Sequence, residues 1–259
     1  MRPVIPEPLR HAWQTSAEAG AGVVRAVLVP VGAVEQHGPH LPLGVDIWLA
    51  TAVAAAAAEG EADVRLGEPL GYGVSPHHLG FPGTVSLRSS TFIALLTDVC
   101  AGLAAQNLLP ILVNGHGGNR GALQVVLSDL GASGVKTAAL TYFDLIVAEA
   151  NEILPDVANG VGHACALETA LMMHVVPDAV RRDRIPAGGT PPNWPDPHLF
   201  APGGVTVWRP FETINPTGVI GRPEDATPAR GAALFAAAAA ATRRTVRDLI
   251  DHHSPDTRA

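Results

Sequence analysis

Lysine is almost missing. Of the 17 basic residues, Lys136 is the one lysine and the rest are arginines. A Schiff-base lysine or the lysine of a phosphate-binding P-loop is therefore nearly excluded. Cysteine is scarce too: Cys100 and Cys165 both lie in apolar, helical stretches. They read as two buried free thiols rather than a disulfide, as suits a reducing cytoplasm. Charge is low, at 16% of residues, against a usual fraction of about 25%. With 47% hydrophobic residues, this excludes a disordered chain, which would be polar and highly charged. Positive charge is in deficit, 17 Lys+Arg against 24 Asp+Glu, and no basic stripe is present. Nucleic acid is therefore not an expected partner. Long apolar runs are missing as well. The longest, Ala232 to Ala241, is about half a membrane span, so no membrane partner is expected. Met1 to Trp13 holds prolines and arginines with no apolar core, unlike a signal peptide. The expectation is a soluble cytoplasmic protein.

What is present is a regular alternation of strand and helix signals over 259 residues. At roughly 150 residues per domain, one large domain, 1–259, is the reading. Strands are expected at Val23 to Val31, Val64 to Leu70, Leu109 to Val113 and Val135 to Thr141. Asp46 can cap a helix to about Ala58, and Ser89 or Ser90 one to about Gln106. Further helices are expected from Asn119 to Leu130 and from Ala164 to Val176. Thr227-Pro228 opens a last one, with Thr as cap and Pro at its first position. Residues 181–225 are proline-rich without a clear period and hold Trp194, Trp208 and Phe211. Such a long loop is commonly functional or an oligomer contact. The alternation argues for a mostly parallel sheet between helices, with ligands beyond the carboxyl ends of the strands.

Three polar segments fall at those ends. The first runs from Glu35 to Asp46. Glu35 and His37 are two apart, so in extended chain they point the same way. With Asp46 they form a plausible half of a metal site; taken alone, the segment also reads as a polar turn with Asp46 as a plain cap. The second is Asn114-Gly115-His116-Gly117-Gly118-Asn119. A nucleotide loop would want glycine at 120, which is Arg120. The glycines instead let a ligand approach the backbone, with His116 exposed at the strand end. In the third, Glu168 sits on an apolar helix and needs a partner, a cation or an arginine, because burying a lone charge is costly. Together the segments supply two imidazoles and three carboxylates without a thiol, which suits two divalent ions, zinc, manganese or iron(II). Such a pair polarises a scissile carbonyl and activates water.

These segments, Gly32 to Asp46, Asn114 to Asn119 and His163 to Thr169, resemble the creatininase family of metal-dependent amidohydrolases in the family's order. The resemblance implies a single three-layer α/β/α domain and two divalent metals. The implied ligands are Glu35, His37, Asp46, His116 and Glu168, with Asp46 bridging and His163 as acid/base. It also implies a closed homo-oligomer, a hexamer or an octamer. Creatinine-hydrolysing members carry a tyrosine and a glutamate where this sequence has Gly117 and Gly118. That departure is expected to open the pocket and to favour a larger substrate, with backbone N–H groups of the two glycines as oxyanion donors. The segments His77 to Thr84 and Phe211 to Pro223 look like the subgroup that matures mycofactocin, a peptide-derived redox cofactor. That likeness implies cleavage of a modified precursor peptide near its C-terminus, with release of a small heterocycle made from valine and tyrosine. The remaining expectations are a peptide or small amide substrate, with creatinine or another small cyclic amide or formamide as the rival. A metal-dependent binding or scaffold protein is the rival of another class. His77 and His78 are substrate-contact candidates, and His40 ties its loop to a ligand. His174 is expected in the core, His252 and His253 in solvent.

Overall fold

The strands alternate apolar side chains between two faces, and each face needs its own cover. In a computed structural model, which describes residues 7–154, 162–186 and 207–253, the four strands are β1 (Ala26–Val31), β2 (Val64–Leu66), β3 (Leu109–Asn114) and β4 (Ala138–Thr141). All pair in parallel, in the order β2-β1-β3-β4. The helices are α1 (Ser16–Ala19), α2 (Val45–Ala58), α3 (Ser89–Ala104), α4 (Arg120–Ala132), α5 (Val147–Ile153), α6 (Ala166–Val175) and α7 (Pro228–His253). Ala26, Leu28, Ile111 and Val113 pack into one core with α2, α6 and α7. Val27, Val29, Val31 and Leu112 pack into a second core with α3 and α4. The result is the expected three-layer α/β/α arrangement around a parallel sheet.

Two prolines sit in central strands, where a missing N–H is usually excluded. The register explains both. The carbonyls of Leu28 and Pro30 accept from Gly67 and Leu70, so the Pro30 nitrogen faces that edge. It does so beyond Leu66, where β2 has ended. Leu109 N–H faces β1, donating to Arg25, so the Pro110 nitrogen faces β4. Pairing with β4 begins one residue later, at Ile111. The same device shortens β2 relative to the expected Val64 to Leu70: Leu70 keeps a lone bridge to Val31. β1 and β4 are also shorter at their starts than expected.

Helix ends are held in varied ways. Thr227 Oγ1 accepts from Arg230 N–H at 3.2 Å, so the Thr-Pro opening of α7 holds as expected. Ser89 is the first helical residue of α3 and not its cap, which is Arg88. Asp46 does not cap α2 either: Gly44 takes that position, and the carboxylate is spent elsewhere. Arg243 of α7 donates to the carbonyls of Ala56, Ala57 and Glu59 at the end of α2, at 2.6–3.0 Å. These are the orphan acceptors that every helix terminus leaves. Both cysteines are buried and free. His174, near the end of α6, is exposed to solvent, not in the core, and leans on Phe235. Trp48 packs against the first core, Trp208 is exposed, and Trp194 lies outside the described residues.

Candidate metal centre

Asp46 reaches the sheet's carboxyl edge because α2 begins almost on top of it. A Cβ at Gly32 would overlap the backbone of Asp46 and Ile47, and one at Gly115 the carbonyl of Asp46. Glycine at the ends of β1 and β3 is thus what lets the helix start there. The chain after β1 brings Glu35 and His37, the chain after β3 brings His116, and α6 brings Glu168. Glu35, His37, Asp46, His116, His163 and Glu168 are all at most 8% exposed. Three carboxylates at that depth need compensation.

The geometry directs each ring. A carbonyl can only accept, so the partner nitrogen must carry the proton. His37 Nδ1 donates to the Glu35 carbonyl at 3.2 Å, leaving Nε2 to face Asp46 Oδ1 at 3.2 Å and Glu168 Oε1 at 3.6 Å. His116 Nε2 donates to the Val74 carbonyl at 3.0 Å, leaving Nδ1 to face Asp46 Oδ2 at 3.1 Å and Glu35 Oε1 at 3.3 Å. Backbone acceptors of this kind fix the tautomer of a ligating histidine. His163 Nε2 donates to the Gln36 carbonyl at 2.6 Å, and its Nδ1 lies 3.7 Å from Glu35 Oε1.

Several atoms at the centre lack a hydrogen bond. Glu35 Oε2, His37 Nε2 and Asp46 Oδ2 are buried with no partner of acceptable geometry. Their ligand atoms gather into sets within 4.8 Å: His37, Asp46 and Glu168; Glu35, His37 and His163; Glu35, His77 and His116. Buried N and O atoms left without partners, in side chains gathered this closely, fit divalent cations. No arginine among the described residues pairs with Glu168; it faces His37 Nε2 at 3.6 Å and accepts from the Cys165 N–H at 3.3 Å.

The charges follow. Burial would raise the Glu35 carboxyl, but the facing His116 and His78 rings hold it down to about 2. Burial likewise opposes, and His37 and His116 overcome, so that Asp46 also lies at about 2. Burial works against the charged His37 and His116 rings, yet Asp46 with Glu168, and Glu35 with Asp46, raise them well above the usual imidazole value. His163 goes the other way, lowered by burial and by His37.

Other expected residues also gather here. His78 Nε2 lies 3.4 Å from Glu35 Oε1, and His77 stacks on His116 with planes 5° apart. Burial lowers His77 to about 4. His40 Nε2 bonds Thr169 Oγ1 at 2.9 Å, tying its loop to the helix that bears Glu168. Gly117 is exposed, and a Cβ there would meet open space, but Gly118 does not open the pocket. The room a side chain would take there is filled by the Val74 carbonyl and His77, because the loop after β2 folds over it. Phe211 is buried against His77, His78 and His163, with ring centroids 4.2–5.5 Å apart. Part of the 181–225 segment therefore walls the centre.

Gln36, Ser75 and Asn119 are unforeseen. The Gln36 amide accepts from Gly38 N–H and donates to His78 Nδ1 and the Gly218 carbonyl, at 2.9–3.2 Å. Ser75 Oγ lies 3.2 Å from His116 Nε2. Asn119 ties Val74, Gly32 and Asn114 together. Alternation alone places Gln36 opposite Glu35 and His37, which is its one signal in the sequence.

A family model described as creatininase, creatinine amidohydrolase, matches residues 10–246. The chain belongs to the creatininase family. As a member it is a metal-dependent amide hydrolase. It is 34% identical over 219 residues to the mycofactocin precursor peptide peptidase of Mycolicibacterium smegmatis, covering 83% of this chain and 81% of that one. It is 34% identical over 177 residues to the creatinine amidohydrolase of Pseudomonas putida, covering 61% and 67%. A solved creatininase variant of Zn–Zn type superposes with a TM-score of 0.78 at 26% identity, over 95% of this chain and 99% of that one. Among the described residues, no helix is long and apolar enough to cross a membrane.

Proposed function

We propose that this creatininase-family hydrolase cleaves a modified mycofactocin precursor peptide near its C-terminus, using two divalent ions, zinc, iron(II) or manganese. One observation carries the two-ion reading. The two oxygens of Asp46 face two different imidazole nitrogens, at 3.2 and 3.1 Å, and each ring's other nitrogen is already tied to a carbonyl. A carboxylate so placed would serve as a shared ligand. Glu35 and His116 would complete one site, His37 and Glu168 the other. Bound ions would supply Lewis acidity that polarises the scissile carbonyl and activates water.

The chain's own groups do the rest. His163 offers Nδ1 as its free lone pair, since Nε2–H is held by Gln36. Burial keeps the ring neutral, so it can take a proton from water and pass it to the leaving nitrogen. Phe211 and the strand-like stretch at Ile220, paired to the His163 backbone at 2.8 Å, hold the ring and exclude solvent. The open side at Gly117 leaves a path for an extended chain, where a small ring would lack close walls; its N–H and that of Gly118 are the oxyanion donors of this reading. The mycobacterial relative's activity supports the peptide substrate. The reading takes 1–259 as one domain, in a closed cytoplasmic homo-oligomer of six or eight copies.

The test is a direct comparison on one metal-loaded sample. Precursor peptide, read by mass spectrometry, should lose a C-terminal fragment, while creatinine stays intact. Efficient creatinine hydrolysis with untouched peptide would restore the small-ring alternative.

A further inference from the structure

His77, a substrate-contact candidate from the sequence, has no part in the ligand set or the proton path proposed above. One of its ring nitrogens, a Glu35 oxygen and a His116 nitrogen lie within 4.8 Å of one another. Its ring lies parallel to His116 at 5.7 Å and is backed by Phe211 at 5.0 Å and His78 at 4.4 Å. This packing fixes the plane of the ring and leaves its nitrogen edge free. Among the described residues, no hydrogen bond engages either nitrogen.

Gly118 makes the place for it. A Cβ there would overlap His116 Nε2 and the Val74 carbonyl, and would come within 2.8 Å of His77 Cε1. A side chain at 118 and an imidazole in this position exclude each other. The loop Ser75 to Leu79 thus brings a neutral N donor to the side of the centre that Glu35 and His116 define.

We propose that His77 is a sixth protein ligand, the third private donor, with Glu35 and His116, of one of the two ions. The inference rests on the two-ion reading above. With Asp46 shared, it makes the sites unequal: four protein donors on the His77 side against His37, Glu168 and Asp46 on the other. Four donors close a site, whereas three leave a position open for a reactant. The His77 ion is then the more firmly held structural partner, and the exchangeable position lies on the His37 side.

The test reads metal and not activity. Full-length wild type, His77→Ala and His77→Phe are loaded with zinc and titrated with a chelator; zinc per chain is measured. Cobalt(II) samples of each are compared by visible absorption, which reports coordination. The Phe variant keeps the ring contacts to His116 and Phe211 but offers no donor. Both variants should release one ion at least about tenfold more readily and keep the other, with a changed cobalt spectrum; losing a supporting group near a metal already costs about 10–100-fold. Two ions held as tightly as in wild type, with an unchanged spectrum, would overturn the assignment. Equal loss of both ions would mark His77 as a loop support and overturn it too. Fewer than two ions in wild type would instead bring down the two-ion reading and this inference with it.

Discussion

His163→Ala separates proton transfer from metal binding. The side chain is 6% exposed and makes one hydrogen bond, Nε2–H to the Gln36 carbonyl at 2.6 Å. Removing it leaves that carbonyl buried without its donor, at about 1–3 kcal/mol. For a chain of this size, 1 kcal/mol shifts Tm by roughly 2–4 °C, so the variant should melt several degrees lower and still be folded at 25 °C. Turnover should fall far more. General acid–base help contributes typically ~10²–10⁴-fold, or about 3–5 kcal/mol of barrier. The assay is kcat for peptide cleavage at 25 °C from pH 6 to 8, with zinc per chain measured on the same sample. Both ions should remain. His163 also belongs to a possible ligand set with Glu35 and His37, which gives the refuting result a definite form. If the variant loses an ion, His163 is a ligand; if kcat stays near normal, the proton passes through another group.

Three further outcomes follow from the same geometry. Asp46→Ala should lose most of the bound metal by elemental analysis, because one carboxylate faces both His37 and His116; unchanged metal would remove it from the bridging role. The metal-free protein should lose stability as pH rises above about 6.5, because His37 and His116, raised in the fold despite burial, contribute fully below their unfolded value and lose that contribution through the folded one. Glu35 and Asp46, held at about 2, add stability that is present above their unfolded values and lost as pH falls towards 2. Ligation needs unprotonated imidazole, so the Tm gap between metal-loaded and metal-free protein should widen from pH 5 to 8; a flat or narrowing gap would contradict it. Ala164 is buried at φ +49°, a conformation that strains a Cβ by about 1–2 kcal/mol. Ala164→Gly should therefore be near neutral in thermal melts, whereas buried Ala170→Gly in α6 should lose roughly 1–2 kcal/mol; equal losses would show no strain at 164.

The sheet was legible because short apolar, β-branched runs closed by glycine are local signals. Its limits were not, since Pro30 and Pro110 are tolerated only where a neighbouring strand has yet to start or has already stopped. Glu35, His37, Asp46, His116 and Glu168 were visible as polar residues at strand ends and on an apolar helix, and the structure brings them together; His116 is buried where the sequence suggested exposure. Asp46 also shows why local reading misleads: its place near a helix start is a capping signal, but tertiary contacts claim the carboxylate. Ser75 and Asn119 were illegible for the same reason, because their partners lie 41 and 45 residues away. The filling of the Gly118 gap needed the path of a loop that no period describes.

The clasp of Arg243 on the end of α2 has a consequence in time. α7 packs on both α2 and α6, the helices that bear Asp46 and Glu168, yet it is the last of these elements to be synthesised. While a ribosome is still making residues 228–253, α2 and α6 can touch each other but lack the cover that α7 gives them both. On the two-ion reading proposed above, the full ligand set would be assembled only in a chain that has folded its last helix, so the ions would enter after translation of α7 and not one donor at a time.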